Sequence, residues 1–367
     1  MRTVPVHRGL VGLQDGAKVR EQTAVIGTRR GSDFAELSQR IKRAGLLERR
    51  PGYHLARAVF VLVMFVGGWA AFFVVGDSWW TLAVAVVLAY AFAQAAFLGH
   101  DIGHRQVFKS RRTAENAGLL GNIGIGLGYG WWMDKHNRHH ANPNHEERDP
   151  DVAPGVLVWT RGQARGQGGR GVVGFINRHQ APLFFPLCLL EGLNLHLGAM
   201  QALFRGVVRR PLLEGGLLVG HFVTYVGALA LVLPPGKALA FAAVNKGLWG
   251  LYMGSVFAPN HKGMKMVGPE EELDFLRRQV LTSRNVRGGR LTDHLMGGLN
   301  YQVEHHLFPS MPSGNLHRAQ PIVRAYCEEV GVPYTETSLT ESYREMLRHL
   351  HDAGTDLRAG TDLRAAA

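Results

Sequence analysis

The apolar residues of this chain are concentrated in a few long segments, and most charged residues lie between those segments. The almost wholly apolar segments are residues 58–75, 79–98, 217–233 and 238–257. Each is long enough to cross about 30 Å of hydrocarbon as an α-helix. Short turns at 76–78 and 234–237 join them in pairs. The pattern predicts an all-α integral membrane protein with four transmembrane helices in two hairpins.

Positive charge is distributed unequally around these segments. The hairpin tips carry almost none, whereas the N-terminal arm, the central loop and the C-terminal region are rich in Arg and Lys. By the positive-inside rule, these three regions and both termini are predicted to be cytoplasmic. Two further apolar stretches, 118–132 and 183–204, contain glycines or polar residues such as Glu191, which predicts interfacial or partly embedded helices.

The composition divides the chain into three parts. Residues 1–54 are polar and basic, without a cleavable signal sequence, and are predicted to form a cytoplasmic arm with a surface helix. Residues 55–345 are predicted to form the membrane domain. Residues 346–367 contain the sequence AGTDLR twice in succession and are predicted to be a disordered tail.

The net charge of +12 is not accompanied by a nucleic-acid recognition motif, so no nucleic-acid partner is predicted. Basic loops beside apolar spans instead fix membrane orientation and meet anionic lipid headgroups. The two cysteines, Cys188 and Cys327, lie far apart, which excludes a disulfide framework and indicates a reducing compartment.

Candidate chemistry lies in the histidines, of which there are 18. Residues three and four apart share one face of a helix, so clusters at this spacing present several imidazoles together. In one of these clusters, QVEHH, Gln302 occupies the first position. The clusters are His100 and His104 in GHDIGH, His136, His139 and His140 in HNRHH, and His305 and His306 in QVEHH.

Topology places all three clusters on the predicted cytoplasmic side. His261, just past the end of the fourth apolar segment, lies on that side too and is an eighth candidate. Imidazole suits Fe, Zn, Cu and Ni, so ligand type does not identify the metal. Eight histidines exceed the three or four ligands of a zinc ion and suit two ions. Two iron ions sharing a site can reduce O2 and abstract hydrogen from an unactivated carbon.

These HxxxH, HxxHH and QxxHH boxes, placed around paired hairpins, resemble the membrane fatty acid desaturase family over residues 50–345, and QVEHHLFP resembles its front-end, Δ6-type branch. The resemblance implies a cytoplasmic helical cap with a di-iron site, O2 as co-substrate and a cis double bond placed in a long acyl chain, carried by CoA or by a lipid. No catalytic side chain beyond the metal centre is implied. Gln302 would bind iron directly, bind it through water or support the site. The implied iron ligands are His100, His104, His136, His139, His140, His261, His305 and His306.

Each turnover would reduce O2 to water with four electrons. Two of them come from the acyl chain, so a separate donor must supply the other two. The sequence contains no HPGG haem motif and no cysteine cluster for an iron–sulfur centre, and the glycines from Gly121 to Gly130 miss the GxGxxG spacing of a nucleotide fingerprint. Ferredoxin, or cytochrome b5 with its reductase, is the implied external donor. The carboxylates beside the boxes are candidates for accepting imidazole N–H groups. They are Asp134, Asp149, Asp151 and Glu304.

Two other functions are compatible with the pattern. A membrane hydroxylase or ketolase would use the same iron architecture, and a metal transporter would use the histidines as carriers. A transporter needs ligands within the spans, whereas these lie at or beyond the span ends. His196 and His221 are interpreted as packing residues, while Asn245 and Lys246 fall near the middle of the fourth segment, where an ionisable group is costly.

Overall fold

The structure is a computed structural model that describes residues 32–167 and 171–358. Most of the first 54 residues, and the second AGTDLR copy, lie outside the described residues. Two short strands, β1 (Asn285–Arg287) and β2 (Glu336–Ser338), pair in parallel. The helices are α1 (Asp33–Arg43), α2 (Pro51–Val75), α3 (Thr81–Gly103), α4 (Arg111–Ile125), α5 (Tyr129–Ala141), α6 (Arg161–Gln167), α7 (Gly171–Arg178), α8 (Gln180–Cys188), α9 (Glu191–Phe204), α10 (Pro211–Val232), α11 (Pro235–His261), α12 (Phe275–Leu281), α13 (Arg290–Leu295), α14 (Gln302–Leu307), α15 (Leu316–Glu329) and α16 (Leu339–Ala353).

Three described helices, α2, α3 and α10, are long and apolar enough to cross a membrane. Their most apolar windows are 11%, 61% and 22% buried, so α3 lies inside the bundle and the other two present wide apolar faces outward. Helices α8 and α9 pass the same test only as a pair bent by 74°, which describes a broken span or a re-entrant loop. Three or four apolar helices therefore fit a multi-pass membrane protein.

Helix α11 contains the predicted fourth span but is not among the helices that pass this test. It has 27 residues, so its length suffices and its composition does not. The polar residues Asn245 and Lys246 in its middle are buried within the bundle. Asn245 accepts a hydrogen bond from the hydroxyl of Tyr225 at 3.0 Å, which satisfies one of its polar groups away from lipid. The four-span arrangement stays a prediction.

Close backbone packing holds the bent pair α8–α9 against α11. A Cβ atom built on Gly250 would lie 2.5 Å from the backbone nitrogen of Gly192 and 2.6 Å from the carbonyl oxygen of Cys188. Both neighbours are backbone atoms that cannot rotate away, so only glycine permits this approach. Aromatic side chains fill the rest of this first core, with Phe92 edge-to-face on Trp249 at 5.9 Å between ring centroids.

A second apolar cluster lies among α1, α12, α14 and α15. Val303 and Leu307 belong to it, and both are on α14, the helix that carries the third histidine box. Helix α16, capped by Ser338, buries Met346 and Leu350. This helix extends to Ala353, past residue 345.

Candidate metal centre

The eight candidate histidines come together in two adjoining groups, each with ring nitrogens within 4.8 Å of one another. The rings of His140 in one group and His306 in the other stack with centroids 4.2 Å apart, so the groups share a wall. The second group consists of His139, His261 and His306. The first group consists of His100, His104, His136, His140 and His305.

Helix geometry decides which ring joins which group. Consecutive residues on a helix point about 100° apart. The pair His139 and His140 of α5 therefore divides between the groups, as does the pair His305 and His306 of α14. Each HH dipeptide supplies one imidazole to each group. His261, the last residue of α11, completes the second group.

Hydrogen bonds at Nδ1 fix the orientation of all three rings in the second group. The Nδ1 of His139 lies 3.1 and 3.0 Å from the carboxylate oxygens of Asp149, and an ionised carboxylate only accepts. The Nδ1 of His261 donates to the carbonyl of Thr282 at 3.0 Å, and that of His306 to the amide oxygen of Gln279 at 2.9 Å. Each neutral ring therefore turns the lone pair of its Nε2 toward the interior.

Among the described residues, the donor beside these lone pairs is the amide of Gln302, 2.9 Å from the Nε2 of His261. The Nε2 atoms of His139 and His261 are 3.3 Å apart, although both are acceptors. The Nε2 of His306 is buried and has no hydrogen-bond partner among the described residues. Acceptors that converge in a buried space are stable when a cation lies between them. The donor set thus fits a metal ion.

The first group shows the same convergence over five rings. Its Nε2 atoms approach in sequence, at 3.2 Å for His100 and His305, 3.1 Å for His305 and His140, and 3.1 Å for His140 and His136. The Nε2 of His104 lies 2.8 Å from that of His136. A neutral imidazole has only one N–H, so a cluster of five nitrogen atoms at these distances is also typical of a metal site.

Burial sets the protonation state of the rings. It lowers the pKa of His136, His140, His305 and His306 well below the usual value, and neighbouring histidines lower these pKa values further. These rings are neutral at pH 7, which is the form that binds metal. Burial also lowers the pKa of His139, but the carboxylates of Asp149 and Asp151 raise it and the net shift is upward.

A family model described as fatty acid desaturase matches residues 77–338, which include all eight histidines. The chain belongs to the fatty acid desaturase family. Similar proteins are an acyl-lipid (9-3)-desaturase of Physcomitrium patens, 30% identical over 87% of this chain and 62% of the relative, and the Δ6 fatty-acid desaturase fat-3 of Caenorhabditis elegans, 26% identical over 89% and 76%. A Δ8 fatty-acid desaturase of Helianthus annuus is 27% identical over 89% of this chain and 74% of the relative. The chain spans less than two thirds of the length of the Physcomitrium patens protein.

The four candidate carboxylates of this desaturase-family chain are not equivalent. Asp149 is buried against His139, and Asp151 lies 3.4 Å from the same ring nitrogen while it also pairs with Lys135. Asp134 pairs with Arg138 at 3.1 Å. Glu304 belongs to neither histidine group.

Glu304 instead connects α14 to its support. Its carboxylate accepts from the amide of Asn285 at 2.6 Å and from the hydroxyl of Tyr334 at 2.8 Å. Burial raises the pKa of Glu304 to about 7. These bonds join the third box to β1 and to the loop before β2.

Gln302 lies at the edge of the second group. Its amide nitrogen is 2.9 Å from the Nε2 of His261, and its amide oxygen accepts from Asn260 at 3.3 Å. In this orientation the amide donates toward the ring. Rotation of the amide by 180° would place its oxygen there instead.

Sequence reasoning missed the groups that support the first box. Asp101 is buried, and its carboxylate accepts from Arg57 and from the Ser313 hydroxyl at 2.9 Å. Its other oxygen lies 3.6 Å from the Nδ1 of His100. Asp101 is visible within GHDIGH, and a carboxylate next to a ligand histidine is a usable signal. Ser313 lies too far along the chain for any local pattern to indicate.

The buried polar residues within the bundle form a separate cluster. The Nζ of Lys246 lies 3.4 Å from the Nε2 of His221 and 4.5 Å from the ring centroid of Tyr225. The Nδ1 of His196 donates to the carbonyl of Gly126 at 2.7 Å. His196 and His221, interpreted from the sequence as packing residues, face each other with ring centroids 5.9 Å apart.

Proposed function

We propose that this chain is an O2-dependent fatty acyl desaturase that places a cis double bond in a long acyl chain. Membership of the fatty acid desaturase family and the desaturase names of its relatives support the proposal. The observation that carries it is the presence of two adjoining groups of inward-facing imidazoles, of which His100 and His104 lie at the end of the apolar helix α3. One group alone would suit a single-metal site.

The proposed ligands follow the two groups. His139, His261 and His306 would hold one iron ion, with Gln302 beside it, and the five histidines of the first group would hold the other. When bound, the two ions supply the reduction of O2 and the removal of two hydrogens from adjacent methylenes. An external donor, ferredoxin or cytochrome b5 with its reductase, supplies the two electrons that the acyl chain does not.

The chain's own residues orient the ligands and exclude water. Asp149 keeps the proton of His139 on Nδ1, and Thr282 and Gln279 do the same for His261 and His306. The burial of these rings excludes bulk water from the oxidising site. An apolar tunnel between the helices would hold the acyl chain and decide which carbon reacts.

We further propose the membrane arrangement predicted from the charge pattern. Four spans in two hairpins would place both termini and the histidine groups on the cytoplasmic side, with α12 to α16 as the helical cap. The desaturase domain would comprise residues 55–345, after a basic arm and before a C-terminal tail. The concentration of Arg and Lys outside the hairpin tips supports this orientation.

Product analysis tests the proposal directly. The chain is expressed in a host without polyunsaturated lipids, defined fatty acids are supplied, and new double bonds are located by mass spectrometry. We expect new double bonds with the unaltered chain and with His351→Ala, an exposed histidine outside both groups. His305→Ala should yield none while the protein stays in the membrane. Lipids that gain only oxygen would contradict desaturation and favour a hydroxylase or ketolase.

A further inference from the structure

Asn144 lies in the loop that follows α5, beside the second histidine group. It is fully buried, and its φ angle of 55° lies in the left-handed region, which asparagine tolerates better than most residues. Its backbone N–H donates to the carboxylate of Asp149 at 2.7 Å, and its backbone carbonyl accepts from Val267 at 2.9 Å. These two bonds fix the loop next to the carboxylate that orients His139.

The side-chain amide of Asn144 reaches two other segments of the chain. Its NH2 group donates to three backbone carbonyls, that of His261 at 2.9 Å and those of Lys265 and Thr282 at 3.3 Å. A carbonyl oxygen only accepts, so the NH2 has to face these three atoms and the amide has one orientation. The amide oxygen is buried and has no hydrogen-bond partner among the described residues. The contribution of this side chain therefore comes from its NH2 group.

These contacts bear on two ligand rings at once. The carbonyl of Thr282 accepts from the Nδ1 of His261 at 3.0 Å, so Asn144 bonds both to the backbone of His261 and to the carbonyl that orients its ring. Its backbone also bonds to Asp149, which faces the Nδ1 of His139. The two rings belong to α5 and α11, 122 positions apart, and their Nε2 atoms lie 3.3 Å from each other. One buried residue thus holds the supports of both rings.

We infer that Asn144 is a positioning residue for the metal ion of the second group: its amide holds the end of α11 and the Thr282 carbonyl so that His139 and His261 face one point. The inference rests on the proposed function, which needs that ion. Asn144 belongs to neither histidine group and acts through the ligands. Within the described residues, it has no hydrogen bond to a residue of the first group. Its loss should therefore weaken one ion and spare the other.

Iron binding tests this without turnover. Asn144→Gly removes the amide but keeps the backbone N–H, and glycine adopts a φ of 55° without strain. We expect this variant to bind one ion normally and the other about 10- to 100-fold more weakly, the usual effect of losing a group that orients a ligand. At limiting free iron, its content should fall from two ions toward one ion per chain. The matched control is Asn142→Gly, the same substitution at a half-buried side chain without a hydrogen bond among the described residues, which should bind both ions normally.

Two further variants separate positioning from a general structural role. Asn144→Asp keeps the shape of the side chain, but a carboxylate would face three carbonyl oxygens, so it should weaken the second ion at least as much as Asn144→Gly. His306→Ala already removes a ligand of the second group. Adding Asn144→Gly to that variant should lower the iron content no further, since both changes act on the same ion. General misfolding would instead release the ion of the first group as well.

The inference is overturned if Asn144→Gly binds two ions as tightly as the unaltered chain, if Asn144→Asp binds both ions normally, or if both ions are lost together. These outcomes are distinct from those of the desaturase proposal. Should the unaltered chain bind two ions and form no double bonds while Asn144→Gly loses one ion, the desaturase function fails and the role of Asn144 stands. Should double bonds form while Asn144→Gly loads normally, the function stands and the role of Asn144 fails.

Discussion

Asp149→Asn tests the link between a buried carboxylate and the second histidine group. One oxygen of Asp149 accepts from the backbone nitrogen of Asn144 at 2.7 Å, and the other from that of Asp151 at 2.9 Å. Both oxygens also face the Nδ1 of His139. An amide has one oxygen, so either orientation leaves one backbone N–H facing an NH2 group. The variant keeps the shape of the side chain and removes an acceptor and the charge.

Two losses follow from this geometry. An orphaned buried N–H costs about 1–3 kcal/mol of folding free energy. The Nδ1 of His139 also loses its carboxylate, which favours the other tautomer and places the proton on the Nε2 that faces the metal. Loss of such a partner typically lowers metal affinity about 10- to 100-fold, or about 1.4–2.7 kcal/mol.

Metal titration and thermal unfolding measure the two losses separately. Iron affinity of Asp149→Asn is compared with that of the unaltered chain and of Asp134→Asn, which changes a carboxylate 40% exposed on α5 and paired with Arg138. The control should bind iron normally. Normal iron affinity in Asp149→Asn would refute the claim that this carboxylate orients His139.

Three further variants or conditions have defined outcomes. Metal-free protein should lose stability as pH falls below about 6.5. In the folded chain, burial lowers the pKa of four histidines, so these rings stay neutral while the same rings in the unfolded chain bind protons; they are His136, His140, His305 and His306. Equal melting temperatures at pH 8 and pH 5.5 would contradict this. Gly250→Ala should cost about 1–3 kcal/mol, since its Cβ would meet backbone atoms, and Gly236→Ala, with open space around it, is the control in thermal unfolding. Lys246→Met should cost about 1–3 kcal/mol because the Nε2 of His221 loses its donor. A melting temperature no lower than that of Lys237→Met, which loses an ion pair with Asp77 at the hairpin tip, would refute this last expectation.

The histidine boxes were visible in the sequence because helix periodicity is a local property. Spacings of three and four residues put His136 and His140 on one face, and both lie in the first group. The division of His139 from His140 follows from the same periodicity, yet it matters only when a second group exists to receive the other ring. That second group depends on where α11 and α14 meet.

Long-range contacts explain most of what the sequence did not indicate. The carbonyl of Thr282 and the amide of Gln279 orient two ligand rings, but neither residue forms part of a box. Arg50 and Arg290 meet at one cavity although 240 positions separate them along the chain. Patterns of spacing report neighbours within a helix and carry no information about such pairs.

Two of the long helices extend beyond the apolar segments from which they were predicted. Helix α2 begins at Pro51, before the apolar segment that starts at residue 58, and its first turns include Arg57, which pairs with Asp101 of α3. Helix α11 likewise extends to His261, whose side chain belongs to the second group. Hydropathy detects contact with lipid, so it ends a helix where the chain enters the polar layer.

The metal content of the purified, iron-loaded chain tests the central claim most directly. Two adjoining groups of imidazoles should bind two iron ions per chain, measured by elemental analysis against protein concentration. His306→Ala, which removes one of the three histidines of the second group, should lower the content toward one ion per chain. A content of one ion or none in the unaltered chain would contradict the assignment of two metal sites.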